Sequence, residues 1–370
     1  MKKFEELKKK LGFGLMRLPM IGEDVDIKQV KEMVDLYLEA GFNYFDTAHG
    51  YINGKSELAI KEALTKRYDR NKYILVDKLT ETYFKSNEDI RPFFESQLQA
   101  CGVEYFDFYL MHAQGSRNFN HFKECMAYET AFELKKEGKI KHVGISFHDT
   151  HEVLDQILTE YPEIEVVQIQ FNYLDYESPT TQSRLCYEVC VKHDKPVLIM
   201  EPVKGGSLIN LPKEAQTILD ELNNGSNASY AIRFASSFPN VVMVLSGMSD
   251  ISQMKDNISF MKEFVPFNEE EFNAVFKVSD LIKELNMVSC TNCAYCVAGC
   301  PQSINIPLIF KNLNAKRIYN DWSSYRGYKE ATLDRGLASD CIECGQCEGI
   351  CPQNLNIIEL LKEAAKIFEK

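Results

Sequence analysis

No run of 18 apolar residues occurs in this 370-residue sequence, so none of it is expected to span a membrane. Basic residues are also short: 42 Lys and Arg stand against 54 Asp and Glu, a formal net charge of −12. A chain with no surplus of cations cannot neutralise a run of phosphates, which argues against a nucleic-acid partner. No secretory signal is visible. The opening MKKFEELKKKLGFGLMRLPM is basic, but its apolar run is broken by Gly12, Gly14, Arg17 and Pro19, and it reads as a solvated terminus. The expected location is therefore cytoplasmic, where disulfides are disfavoured. Tryptophan occurs once, and Trp322 is expected to pack the core of the C-terminal region or the junction between domains.

What the sequence does have is cysteine, in a pattern. Residues 290–301 read CTNCAYCVAGCP and residues 341–352 read CIECGQCEGICP. Each is C-x-x-C-x-x-C-x-x-x-C-P. Three cysteines two residues apart can converge on one cubane cluster, and the fourth characteristically ligates the other cluster of a pair. Structural zinc prefers two separated cysteine pairs or added histidines, and neither block holds a histidine. Two [4Fe–4S] clusters are the expected content, with zinc or disulfides as alternatives. Crossed ligation assigns Cys290, Cys293 and Cys296 with Cys351 to one cluster, and Cys341, Cys344 and Cys347 with Cys300 to the other. The stretch between the blocks has helical spacing, and the tail NIIELLKEAAKIFEK sets Ile357, Leu360, Leu361, Ala364 and Phe368 on one helical face. Residues 286–370 thus read as a small, mainly helical domain resembling a dicluster ferredoxin. From Val288 onward nine basic residues balance nine acidic ones, so the acid surplus lies upstream. Cys101, Cys125, Cys186 and Cys190 are scattered and read as small buried hydrophobes.

Residues 1–285 alternate. The apolar runs FGLM, NYFDTA, KYILVDK, FDFYLMH, KHVGIS, EVVQIQF, KPVLIME and NVVMVLSG are each followed by a helical candidate. In the first of these, DIKQVKEMVDLYLEAG, Ile27, Val30, Val34 and Tyr37 form the stripe and Gly41 is the stop. Strand–helix alternation implies a parallel sheet, and eight repeats imply an α/β fold of the (β/α)8 TIM-barrel type, with its site at the C-terminal strand ends. An open doubly wound sheet is the alternative, weakened because no G-x-G-x-x-G follows the first strand. The runs end in polar groups: Asp46, with Tyr51 in the loop after it, then Lys78, His112 and Ser146, with Gln168 inside the sixth run. In a barrel these converge on one mouth. Each alone has an ordinary structural explanation, such as a helix cap for Asp46 or a core histidine for His112.

GFNYFDTAHGY, ILVDK, DFYLMHA, GKIKHVGIS and VVQIQFN, in this order and spacing, resemble the aldo-keto reductase family over about residues 10–260. With the cysteine blocks, the chain is similar to a prokaryotic branch of that family carrying a ferredoxin-like domain. The resemblance implies a catalytic tetrad of Asp46, Tyr51, Lys78 and His112. Tyr51 would protonate a carbonyl oxygen, Lys78 would lower the tyrosine's pKa, Asp46 would keep Lys78 charged and placed, and His112 would orient the carbonyl. It also implies nicotinamide contacts from Ser146 and Gln168, and cofactor contacts from Gly14 and the loops holding Met200, Glu201, Ser246, Gly247, Gln253, Asp256 and Asn257.

There are departures from the family pattern. Met200 replaces a stacking aromatic, and Phe147 replaces the asparagine after the serine. Gly247 and Gln253 stand where NADP users carry cations, so NAD(H) is expected over NADP(H). Asp77 beside Lys78 is unusual and should point away from it by strand alternation.

A hydride carries two electrons and a cluster accepts one at a time. Three functions are therefore open: a nicotinamide-linked oxidoreductase acting on a small carbonyl or alcohol, its clusters exchanging electrons with a redox partner protein, with a flavin as a candidate bridge; an electron-transfer protein using the barrel as a docking scaffold; or a carbonyl reductase with structural clusters. The intact tetrad counts against the second.

Overall fold

A computed structural model describes residues 4–319 and 323–369, so Trp322 and the expectation attached to it lie outside the described residues. The chain forms two compact units, one made of Met1–Pro202 and Ala228–Glu269, the other of Val203–Asn227 and Glu270–Lys370.

The first unit is a closed barrel. Its strands are β1 (Leu11–Gly14), β2 (Tyr44–Asp46), β3 (Ile74–Leu79), β4 (Phe106–Gln114), β5 (Ile140–Phe147), β6 (Val166–Gln170), β7 (Val197–Met200) and β8 (Val241–Gly247). Every neighbouring pair is parallel, each strand lies beside the next in sequence, and β1 closes on β8. The eight apolar runs are these eight strands. They are apolar on both faces because one face fills the barrel and the other meets helices. Tyr44, Val76, Phe108, Leu110, Val166, Leu198, Met243 and Leu245 form the interior packing. Gly144 of β5 is needed there, because a Cβ would stand 2.5 Å from Val166 Cγ1 and 2.6 Å from the Val166 carbonyl oxygen.

The first helix, Ile27–Glu39, is capped by Asp26, whose carboxylate accepts from the Gln29 amide, and ends ahead of Gly41 at φ +87°. Val30, Met33, Val34 and Tyr37 are its buried residues, with Ile27 only half-buried. The FGLM run is extended only as far as Gly14, and Leu15–Arg17 turns as a 3-10 segment. Two features had no signal in the periodicity. A small hairpin pairs Met20–Ile21 with Asp24–Val25 around Gly22, and helix Lys55–Ile60 runs on into a π turn, Lys61–Thr65.

The second unit is helical. Helices Ile306–Tyr319, Ser323–Ala331 and Ile357–Phe368 enclose a core that includes Ile304, Ile309, Phe310, Leu313, Tyr328 and Leu361. On the last helix Ile357, Leu361, Ala364 and Phe368 are buried and Leu360 packs partly buried against them, as its spacing predicts. The barrel followed by a helical, cysteine-bearing region is the architecture expected from the alternation. The segment Val203–Asn227, between β7 and β8, nevertheless groups with the cysteine-bearing residues.

The tight approach at β5 gives a first test. Gly144→Ala should lower stability by about 2 kcal/mol, the usual cost of overpacking a filled core, read as a fall in the urea midpoint at unchanged slope. An unchanged midpoint would mean the strands part to admit the methyl group.

Candidate functional site

Asp46 closes β2, and Lys78 lies in β3 with no exposed surface. The Lys78 ammonium donates to Asp46 Oδ1 at 2.6 Å and to the Thr47 carbonyl oxygen at 2.7 Å. The Gln168 side-chain amide of β6 donates to the other carboxylate oxygen, Asp46 Oδ2, at 3.3 Å. Tyr51 sits in a tight turn where its amide donates to Ala48 O at 3.0 Å and its carbonyl accepts from Gly54 N at 3.2 Å. That turn lays its ring over the ammonium, 4.8 Å from Lys78 Nζ to the ring centroid. The His112 imidazole of β4 is 6.0 Å from the Tyr51 ring, centroid to centroid, and edge-on to it. Tyr51 and His112 are half-buried, unlike the fully buried pair beneath them. Thr80 Oγ1 and His112 Nδ1 are 2.7 Å apart. Thr80 was absent from the sequence-based set, although it lies two residues beyond Lys78 and therefore on the same face of the extended chain.

Burial lifts the Asp46 carboxyl above its ordinary range, while Lys78 and Gln168 act to lower it. Burial holds the His112 imidazole well below its usual value, reinforced by Lys78 and His148. The expected lowering of the Tyr51 hydroxyl by Lys78 is not found. Burial, then Asp46, Asp77 and Glu201, hold it well above its ordinary value. Burial is the largest cause, and the Lys78 ammonium that could oppose it is already paired with Asp46.

Ser146 of β5 lies in register with Gln168 of β6 and accepts from Ala113 N at 3.4 Å. On the other side of the barrel Gly14 of β1 is aligned with Gly247 of β8, and the buried Ser246 accepts from the buried Asn257 amide at 2.6 Å. Met200 ends β7 half-buried. Glu201 follows in a left-handed conformation, φ +55°, and its carboxylate is 3.9 Å from the Arg17 guanidinium. Arg17 was also missed; its side chain lies against Gly247, where an added Cβ would be 3.3 Å from it. Gln253 is exposed and tied to its own helix start, accepting from Ser249 N and donating to Asp250. Asp256 lies half-buried on that helix, Ile251–Met261. The structure therefore gathers Asp46, Tyr51, Lys78, His112, Ser146 and Gln168 around one mouth and groups Gly14, Ser246, Gly247 and Asn257 at the β1–β8 edge. Gln253 makes local contacts only.

Asp77 points away from Lys78 into a buried network of its own. Its Oδ1 accepts from Gln97 Nε2 at 3.0 Å, and the Cys101 thiol lies 3.6 Å from Oδ2. Gln97 also donates to Glu57, and Tyr109 fixes the Gln97 amide by donating to its oxygen at 2.5 Å. Burial and the nearby Glu57 carboxylate hold Asp77 well above the carboxylate range. All four scattered cysteines are buried, and besides Cys101 the Cys125 thiol donates to the Lys85 carbonyl oxygen at 3.4 Å and the Cys186 thiol to that of Asp149 at 3.8 Å.

In the second unit the eight block cysteines sort into two fours. Cys290, Cys293, Cys296 and Cys351 line one cavity, and Cys300, Cys341, Cys344 and Cys347 line another. The two blocks repeat one backbone conformation. Asn292 and Ala294 in the first, and Glu343 and Gly345 in the second, all have positive φ. A left-handed non-glycine residue costs about 1–2 kcal/mol, and such strain persists only where the surroundings impose it. Here it turns successive cysteines toward one centre. Eight thiols in two cages, with no histidine in either lining, fit four-iron clusters by donor type.

Comparison with known proteins agrees with this geometry. Residues 289–356 match a 4Fe-4S dicluster domain. An NADH-specific methylglyoxal reductase of Escherichia coli is 29% identical over 174 residues, 41% of this chain, and the chain spans about half (52%) of that relative's length. The uncharacterised oxidoreductase YqkF of Bacillus subtilis is 25% identical over 282 residues, covering 67% of this chain and 85% of that protein. Among solved structures, the holo form of an aldo-keto reductase from Bacillus halodurans superposes with a TM-score of 0.60 at 25% identity, covering 73% of this chain and 91% of its own. An aldo-keto reductase from Klebsiella pneumoniae in complex with NADPH shares the fold at 18% identity, with a TM-score of 0.60 over 73% of this chain and 90% of that one. Residues 10–280 match the Aldo/keto reductase family, so the chain belongs to that family, as an oxidoreductase with a 4Fe-4S dicluster domain C-terminal to its barrel.

Proposed function

We propose that this chain interconverts a small carbonyl compound and its alcohol with a nicotinamide cofactor, and that its two [4Fe–4S] clusters exchange electrons with a redox partner protein. One observation carries the first half: a half-buried tyrosine and a half-buried histidine meet at a buried lysine–carboxylate pair. The buried polar groups Ser146, Gln168, Ser246 and Asn257, with two aligned glycines at the β1–β8 edge, suit a dinucleotide with one end at the mouth. Bound there, the nicotinamide would supply hydride to carbon.

The chain's own residues supply the rest. Tyr51, kept protonated at neutral pH by its raised pKa, donates its hydroxyl proton to the carbonyl oxygen as charge develops there. His112, kept neutral, donates a hydrogen bond to the same oxygen and orients it; Thr80 beside Nδ1 fixes the ring. Lys78 stabilises the phenolate that forms once the proton has left, and Asp46 and Gln168 hold Lys78 in place. Neutral Gly247 and the locally engaged Gln253 favour NAD(H) over NADP(H), in line with the name of the Escherichia coli relative. Cys290, Cys293, Cys296 and Cys351 would hold one cluster, and Cys300, Cys341, Cys344 and Cys347 the other.

Anaerobically purified protein should hold about eight iron and eight labile sulfide per chain; stoichiometric zinc instead would overturn the cluster assignment. With NADH and methylglyoxal as probe, Tyr51→Phe should lower kcat by about 10²- to 10⁴-fold and leave the NADH Kd unchanged. Wild-type turnover in that variant would place the proton donor elsewhere. Titration should show NADH binding about tenfold more tightly than NADPH, about 1.4 kcal/mol. If clusters reduced by a one-electron donor stay reduced by EPR while NADH-dependent turnover runs at full rate, they are structural.

The imidazoles give a pH test. His112 is held well below its usual value and His148 is pushed down to about 4, both first by burial. Their neutral forms are favoured in the folded chain, so this stability is complete above the unfolded value of about 6.5. It is lost as the pH falls from there toward the folded values. Ring-proton NMR should show neither residue titrating between pH 6 and 8. A His112 midpoint near 6.5 would remove its assigned role.

A further inference from the structure

Lys204 is a lysine that no part of the proposed chemistry uses. It is 1% exposed and held at φ +47°, in the 3-10 turn Lys204–Gly206 just beyond β7. That turn belongs to the cysteine-bearing unit and packs on the first cysteine block. A Cβ on Gly205 would stand 2.3 Å from the carbonyl oxygen of Thr291, the residue after Cys290. Gly205 itself is at φ +61°, so close approach and left-handed backbone both demand glycine there. The Lys204 ammonium donates to Gln353 Oε1 at 3.4 Å, and Gln353 is two residues past Cys351. Thr291 and Gln353 both line the cavity of Cys290, Cys293, Cys296 and Cys351. A fully buried side chain thus carries a charge to the wall of one cage through a neutral amide. Neither lining itself holds a lysine or arginine, and Lys204 reaches the first cage only through Gln353; in the other cage, of Cys300, Cys341, Cys344 and Cys347, Cys344 is exposed.

We propose that Lys204 is a positioning residue that raises the reduction potential of the cluster held by Cys290, Cys293, Cys296 and Cys351 relative to the cluster in the other cage. The inference rests on the cluster reading above. One-electron reduction of a four-thiolate [4Fe–4S]²⁺ site takes its total charge from −2 to −3. A nearby fixed cation stabilises the second state more than the first, and more strongly where water is excluded. The electron comes from the external one-electron donor used in the titration, dithionite, and no proton moves.

The test is an anaerobic redox titration of the holoprotein followed by EPR. Lys204→Met should lower one of the two couples by about 59 mV, a tenfold change in a one-electron equilibrium constant, and leave the other unmoved. Lys204→Arg, which keeps the charge, should retain most of the wild-type value. Gln353→Glu, which sets a carboxylate against the ammonium, should lower the same couple, and it carries the test if Lys204→Met fails to assemble. With two clusters verified by iron content, unmoved couples in the variants that assemble, or equal shifts in both couples, would overturn the role of Lys204. Protein lacking two four-iron clusters would instead overturn the functional reading beneath it.

Discussion

A lysine without exposed surface inside a barrel is an expensive thing to keep, and the mouth of this barrel is organised around it. Taking an ammonium out of water costs several kcal/mol even after relaxation. Lys78 recovers this through Asp46 Oδ1, the Thr47 carbonyl and the face of the Tyr51 ring. Asp46 in turn needs Gln168 for its second oxygen. These groups come from β2, β3, β6 and the loop after β2, and they meet only if the strands hold register all the way round. Closing eight parallel strands is therefore not incidental to the site. It is what lets residues as distant in sequence as Asp46 and Gln168 share one charge.

The cysteine-bearing unit faces the reverse problem. Four thiolates lining one small cavity would repel one another, and a four-iron cluster among them would offset that repulsion. The left-handed positions repeat, Asn292 and Ala294 against Glu343 and Gly345, and carry strain at the three that are not glycine. The helical core beneath, centred on Ile309, Phe310, Leu313 and Leu361, is small for carrying that strain alone. The strained turn at Lys204 and Gly205 belongs to the same unit and abuts the first block through Thr291.

The barrel was readable from sequence because parallel strands are apolar on both faces and so stand out as runs. The tail helix was readable because its stripe repeats at helical spacing. Period two also separates Lys78 from Asp77, and it would have added Thr80 had it been carried two residues further. Other features had no such signal. The raised pKa of Tyr51 comes first from burial, which spacing does not report. Arg17 reaches Gly247 only because β1 lies beside β8, a consequence of closure and not of local pattern. The Glu57–Gln97–Asp77 network joins a helix after β2, a helix after β3 and β3 itself. Val203–Asn227 sits between two barrel strands in sequence but groups with the cysteines, because contacts and not chain order decide compact units.

That last feature bears on how the barrel and the cysteine-bearing unit share one chain. A simple tail domain could be lost or moved without touching the barrel. Here the connection from β7 to β8 leaves one unit and returns to it, so the chain passes between the units at Pro202–Val203, at Asn227–Ala228 and at Glu269–Glu270. Met200 and Glu201 therefore belong to one unit and Lys204, three residues on, to the other. The turn at Lys204–Gly206 stays in that second unit, held as tightly as the approach of Gly205 to Thr291 requires.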